Sequence, residues 1–316
     1  MRKLIIMAWL AAALALSFTG CQKEDALTPG KGHVSGQYAS MQDFYDQNRP
    51  AIWSYAVNAT TGGTFSTPQG TTVTVPANAF TDPSGNPVSG SVTVRFQDIY
   101  KKSDMLFSQM PTSTASGPLN SGGQFFIKAE QNNAGLVLAP GKKIVIGQPA
   151  SLTGGVDSGM TAFVAVPDSM EAGYEWVPAP YDTLYPSMNS YVYNLYGLNS
   201  NGTWSNCDNP YPFASFPQTT LTLSSSSNLS AFNYQIDAWL IFTNQNAGIH
   251  LYLDNNSFQY IYAPLGFQCT AVIMGVRDGK LFACFQPVTI TSNTNVNFTL
   301  TEMSTADFKT RLDALN

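Results

Sequence analysis

Two short runs with a period of two constrain this chain more than anything else in it. Val73 and Val75 alternate with threonines, and Val92, Val94 and Phe96 alternate with polar or charged residues. Successive side chains of a strand point to opposite faces, so each run describes a half-buried β-strand. Between the runs lie Asp82, Pro83, Ser84, Gly85, Asn86 and Pro87. Proline fixes φ and glycine tolerates positive φ, so this stretch is a turn, and the two runs are expected to form a hairpin of a β-sandwich or barrel. Further strands read out at residues 124–129, 136–138 and 144–146. Gly122 and Gly123, Asn132 and Asn133, and Pro140 and Gly141 punctuate them.

The alternation returns from residue 231. Ile236, Ala238, Leu240 and Phe242 share one face, and Leu251 and Leu253 open another strand. Residues 271–276 and 280–285 flank Asp278 and Gly279, the signature of a two-residue hairpin turn. That register sets Arg277 opposite Lys280 and Ile273 opposite Cys284. Cys269 then lies four residues beyond, ~14 Å away at ~3.4 Å per residue. A disulfide tolerates only ~7 Å between Cα atoms, so Cys269 and Cys284 are expected to remain unbonded, as small buried apolar groups.

Two helices are expected at the ends. Ser40 with Asp43 and Ser304 with Asp307 each place a capping hydroxyl three residues before an acid. Pro50 stops the first helix, and Phe308, Leu312 and Leu315 give the second an apolar stripe that packs on the last sandwich. The stretch 151–228 is rich in Gly, Pro, Tyr and Asn and reads as a connector, with strands at 174–177 and 191–196. The fold class is therefore all-β: two antiparallel β-sandwich domains, the second immunoglobulin-like, with an aromatic-rich connector and a short C-terminal helix.

The N-terminus carries Arg2 and Lys3, an uncharged apolar run from Leu4 to Phe18, then Thr19, Gly20 and Cys21. A basic head, a short apolar run and a small residue before the cut describe a secretory signal, and the run is shorter than the ~20 residues that span a membrane. With Cys21 following Gly20, the segment resembles a bacterial lipoprotein signal, which implies that Cys21 is lipidated and becomes the mature N-terminus. Acyl chains then supply the membrane anchor. Glu24 and Asp25 follow closely, and this acidic cluster resembles the surface-export signals of Bacteroidetes lipoproteins.

Charged residues make up 11% of the 316 and the net charge is −5, against the ~25% charged residues usual in soluble proteins. A chain without a basic excess has nothing to hold phosphates along a strand, so nucleic-acid binding is not expected. The division that follows is a signal over 1–20, a lipidated tether with a short helix over 21–50, and a first sandwich over 51–150. The connector takes 151–228, a second sandwich 229–301 and a helix 302–316.

Catalytic and metal chemistry find little support. His33 and His250 are the two histidines, too few for a histidine-based zinc site. A Ser–His–Asp triad could draw on His250, but no Gly-x-Ser-x-Gly elbow accompanies it. Glycosidases need two acids ~5–9.5 Å apart. Glu171 and Glu175, or Asp98 and Asp104, are present without a motif that pairs them. No cofactor and no enzymatic activity are expected. Asp82, Asn86 and Asp208 offer oxygen ligands, but turn roles fit them better than calcium. The candidates for ligand binding are Tyr191, Tyr193, Tyr196, Trp204 and Asp208, because aromatic rings stack on sugars and anchor protein interfaces. Burial of Tyr191 and Tyr193 between the sandwiches is the competing reading.

A longer string of motifs runs through the first sandwich: Pro76 to Phe80, Gly85 with Asn86, Gly90 to Val92, Tyr100 to Met105, Pro111 with Thr112, Gly117 to Gly123, and Leu136 to Ile146. This string resembles a module of uncharacterised Bacteroidetes surface lipoproteins, distantly similar to the paired β-sandwich domains of ankyrins and netrin receptors. Trp204, Asn206, Cys207 and Asp208 match a Trp-x-Asn-Cys-Asp motif of the same family. The resemblance implies a lipid-anchored envelope protein at the outer membrane, displayed at the cell surface. From the signal, the neutral polar composition and the lack of a catalytic constellation, it is expected to act as a non-catalytic interaction or structural module, with a glycan or an envelope protein as partner. A glycan-binding accessory lipoprotein is the alternative, and a glycan hydrolase the remoter one.

Overall fold

The computed structural model describes residues 22–23, 37–167, 173–226 and 229–316. The apolar N-terminal run, Cys21, His33 and Glu171 lie outside the described residues. Among the described residues no helix is long and apolar enough to cross a membrane. The fold is all-β, with short helices at its margins.

The first sandwich consists of two antiparallel sheets. In spatial order, one sheet runs Gln22–Lys23, Trp53–Asn58, Ser91–Ile99, Asn120–Gln131, Thr203–Asn209, Thr161–Pro167 and Tyr174–Pro178. The other runs Thr183–Ser187, Ser190–Leu195, Ile144–Pro149, Thr72–Val75 and Gly63–Ser66. Val73, Val75, Ile144, Ile146 and Tyr193 of the second meet Val92, Val94, Phe96, Phe125 and Ile127 of the first in one apolar core. The two alternating runs that define the sequence therefore face one another across the sandwich and do not pair as a hairpin. Pro76, Pro83 and Pro87 interrupt ladder formation between them, and the intervening turn closes on itself. The Asp82 carboxylate accepts from Ser84 N and Asn86 N at 2.9 Å each, and the Asn86 side-chain amide holds its pKa below the ordinary carboxylate value. Asp82 and Asn86 thus serve the turn.

The stretch read as a connector is built into this sandwich. Strands 161–167, 174–178 and 203–209 extend one sheet and 183–187 and 190–195 extend the other. Tyr193 sits opposite Ile146, and Tyr191 opposite Gln148. Their alternation was visible, but Gly and Pro between strands of five to seven residues concealed how many there were.

The second sandwich is one continuous sheet doubled over. Its order is Thr294–Phe298, Gln218–Ser225, Ser257–Pro264, Gly248–Asp254, Ile236–Phe242, Gln268–Arg277, Lys280–Thr289 and Thr301–Glu302. The fold line is Gly248–Asp254. Its first half pairs with Ala238 to Ile241, and Tyr252 to Asp254 pair with Ser257 to Gln259. Leu221, Leu223 and Phe258 of one half share a core with Leu240, Phe242, Ala271 and Ile273 of the other. Gln218–Ser225 and Thr294–Phe298 pair in parallel. The hairpin register is as read, Arg277 against Lys280 and Ile273 against Cys284. Asp278 at φ 52° and Gly279 at φ 76° give the left-handed pair that a type I′ turn requires. Cys207, Cys269 and Cys284 are free thiols.

Strands Ile236–Phe242 and Gln268–Arg277 are buried on both faces. Trp239, Ile241, Val272, Met274, Leu281 and Ala283 point away from the sandwich core into a second one, built with three helices. Met41–Asn48 contributes Phe44 and Tyr45, Lys102–Ser108 contributes Leu106 and Phe107, and Thr305–Asp313 contributes Phe308 and Leu312. Both serine caps form: Asp43 N donates to Ser40 Oγ at 3.0 Å and Asp307 N to Ser304 Oγ at 3.1 Å. The helix that the sequence placed in a tether is thus clamped to the second sandwich, beside one drawn from the first. Asn246 joins the two units further, its amide donating to the carbonyls of Tyr100 at 3.1 Å and Ser121 at 2.8 Å.

Candidate functional site

The residues singled out for ligand binding separate into three environments. Tyr191 and Tyr193 are fully buried. The Tyr191 hydroxyl donates to Gly155 O at 3.0 Å and accepts from Asp157 N at 2.7 Å, while Tyr193 OH donates to the Asp182 carboxylate at 2.9 Å. The exposed row of connector tyrosines is therefore not formed: these two rings pack the first sandwich. Trp204 is half-buried and tilted against Phe126, centroids 5.4 Å apart. Tyr196 is exposed, with the Lys143 ammonium 5.8 Å above its ring. Tyr181 at 80% exposure, Tyr185 at 48% and Met188 at 94% accompany it around the outermost hairpin of the five-stranded sheet.

Asp208 lies in a sealed polar belt. The ladder to Asn120–Gln131 slips between Asn206 and Asp208, so Gly122 and Gly123 together stand opposite Cys207 in a bulge of the longer strand. Asn206 Nδ2 donates to Asp208 Oδ2 at 2.7 Å, and Ser121 Oγ donates to Asn206 Oδ1 at 2.8 Å. Burial pushes the Asp208 carboxyl and the Cys207 thiol well above their ordinary values. Desolvation is the larger cause for Asp208, and its bond from Ser121 opposes it. Gly123, at φ 124°, completes the belt, because a Cβ there would stand 2.5 Å from the Tyr100 ring. The Asn-Cys-Asp motif therefore has a packing role.

Of the acids weighed for hydrolysis, one is occupied by hydrogen bonds. Asp98 is buried and accepts from Thr67 and Thr71 hydroxyls at 2.6 Å each, and from Gln69. Burial pushes Asp104 up to about 6, opposed by the Lys101 charge. Glu175 stands on strand Tyr174–Pro178 near the sandwich edge. Among the described residues no group of three or more His, Cys, Asp or Glu side chains could hold a metal ion.

Among the described residues two open clefts stand out, and neither is legible as a site in the sequence. The first, about 250 Å³, is lined by Met41, Tyr45, Asp237, His250, Leu253 and Phe258 among others. Tyr45 OH donates to Asp237, whose other oxygen contacts His250 Nε2. Trp239 Nε1 donates to Tyr45 OH at 3.4 Å, and the Tyr252 ring stands edge-on to the imidazole at 4.4 Å. Burial, then the Asp237 charge, raises the Tyr45 hydroxyl well above its usual value, so it stays a donor. The Asp237 carboxylate thus orients an imidazole at the cleft wall. None of the residues lining this cleft is a serine, threonine or cysteine that the imidazole could activate.

The second cleft, also about 250 Å³, opens where the two sandwiches meet. Lys101 and Lys102 form one wall and the loop Thr243 to Asn246 the other, with Leu152 to Gly154 at the mouth. Lys102 is buried, and its Nζ donates to Phe242 O at 2.9 Å. Burial pushes its pKa down to about 8. Along the sequence Lys101 and Lys102 stand in a family motif and between Asp98 and Asp104, and the loop that completes the cleft is some 140 residues away. No protein-family model matches this chain, and comparison with curated proteins finds no relative.

Proposed function

We propose that the protein is a lipid-anchored, non-catalytic interaction or structural module of the cell envelope, displayed at the outer membrane. The N-terminal segment with Cys21, the low charge and the resemblance to surface lipoproteins support this reading. On the folded body, the observation that carries it is the exposure of Tyr181, Tyr185 and Met188 around an edge hairpin. Aromatic and methionine side chains left in solvent at a sheet edge supply apolar interface area. In this reading the partner is an envelope protein. The glycan-binding alternative loses Tyr191 and Tyr193 and rests on Tyr181, Tyr185 and Tyr196.

Membrane fractionation and an immobilised panel of envelope proteins and glycans test the reading together. Cys21→Ser is expected to move the chain out of the membrane fraction. Tyr181→Ser combined with Tyr185→Ser is expected to cost at least tenfold in binding to a captured protein partner while leaving the melting temperature unchanged. Membrane retention of the Cys21→Ser chain would defeat the anchor. Capture that is indifferent to both tyrosines would defeat the interaction surface.

A further inference from the structure

An ammonium group taken out of water needs a counter-charge or a full set of acceptors. Lys102 has neither. It is 4% exposed, and its Nζ bonds one neutral carbonyl, that of Phe242, at 2.9 Å. A lysine carries three donors, so its hydrogen-bonding capacity is not filled by that bond. Among the described residues no carboxylate comes within ion-pair distance of it. Burial alone accounts for its lowered pKa, with no neighbouring acid opposing the shift. A protein that merely needed a donor for the Phe242 carbonyl could use a neutral side chain.

The surroundings of Lys102 point the same way. Among the described residues lining the cleft no side chain is acidic, and Asn316, bonded to Ser103, closes its inner end. Lys101 is exposed at the rim, and its charge already acts on Asp104. Opposite stand Asn244 and Gln245, polar side chains at the solvent-facing end of the loop, while Asn246 is committed to the Tyr100 and Ser121 carbonyls. The charge taken out of water is that of Lys102 alone, with Lys101 left in solvent at the rim, and a monoanion balances it. The volume of about 250 Å³ falls below the ~300–1,000 Å³ of sites for drug-sized ligands, which limits the occupant to a single small ring or an amino-acid-sized molecule.

We propose that this junction cleft binds a small carboxylate-bearing molecule, the size of one uronic acid, whose carboxylate serves as the counter-ion of Lys102. The amides of Asn244 and Gln245 meet its hydroxyls, and Lys101 steers it from the rim. The site is independent of the lipid anchor and of the exposed tyrosines.

Calorimetric titration of the full chain in detergent, at pH 7 and low salt, compares glucuronate, glucose and inorganic phosphate. Glucuronate is expected to bind at one site at least tenfold more tightly than either of the others. Lys102→Gln keeps a donor for the Phe242 carbonyl without the charge. It is expected to lose glucuronate binding more than tenfold while melting within a few degrees of the parent. Gln245→Trp fills the mouth without touching Lys102 and is expected to lose binding as well, and Lys101→Gln to lose only two- to threefold. Glucuronate binding no tighter than glucose, phosphate binding more tightly than glucuronate, or undiminished binding in both Lys102→Gln and Gln245→Trp would each overturn the proposal.

Discussion

Replacement of Phe308 by alanine tests how the two sandwiches are held together. Phe308 is fully buried on helix Thr305–Asp313, with ring neighbours Phe44 at 5.5 Å, Phe285 at 5.3 Å and Phe107 at 6.2 Å. These rings come from three separate parts of the chain. Deleting a core phenylalanine costs about 3–5 kcal/mol, depending on how far the site can collapse. Here the cavity would be walled by two other helices and a sheet, so collapse is restricted and about 4 kcal/mol is expected. At roughly 2–4 °C per kcal/mol for a chain of this size, the melting temperature should fall by about 8–16 °C. The assay is urea denaturation followed by tryptophan fluorescence and far-ultraviolet dichroism. Because the ring clamps helices from both ends of the chain and from the first sandwich, both probes should shift together in one transition. A loss below about 1 kcal/mol, or separate transitions for the two probes, would refute the clamp.

Two buried ionisable groups give pH signatures of opposite sign. Lys102 has a folded pKa of about 8 against an ordinary 10.5. Between those values the unfolded chain binds the proton that the folded chain lacks, so stability rises with pH across that window. Stability measured against Lys102→Gln should improve by about 3 kcal/mol from pH 7 to pH 10.5, from 2.5 pKa units at 1.36 kcal/mol each; parallel urea profiles would contradict the burial of a charged lysine. Asp208 is pushed well above 3.8, so its contribution is present below the unfolded pKa and lost as pH rises toward the folded one. Asp208→Asn should therefore gain on the parent by about 1.4 kcal/mol per pH unit above pH 4 until the folded carboxyl ionises, and a difference independent of pH would mean that the carboxylate is solvated.

Local patterns in the sequence carried their own structure faithfully. The Asp278–Gly279 turn set its hairpin register to the residue, because positive φ at both positions admits one geometry. Ser40 and Ser304 marked their helix starts, because a capping hydroxyl acts within three residues. What escaped was long-range. Val75 and Val92 reveal that each has a buried side, but not that they look at each other from opposing sheets. Residues 161–209 showed turn chemistry and aromatic alternation, while the choice of which sheet to join was made by Ile144–Pro149 and Asn120–Gln131. The clefts were less legible still. Tyr45, Asp237 and His250 meet across some two hundred residues, and a lysine's lack of a counter-ion is a property of its surroundings, invisible in its neighbours along the chain.

The three-helix layer on the second sandwich also fixes the order in which this chain can fold. Tyr38 bonds Thr305, 267 positions later in the sequence, and Phe44 rests on strands that are not made until after residue 236. A chain emerging from its N-terminus therefore synthesises its first helix long before any surface exists to receive it. The first sandwich can close once residue 209 has appeared, but helix Lys102–Ser108 must then wait with Leu106 and Phe107 uncovered. Contacts of such separation slow folding, and the waiting apolar faces are the kind that aggregate. Folding completes only when the last helix arrives, so a nascent chain stalled just short of residue 305 is the species most dependent on chaperones.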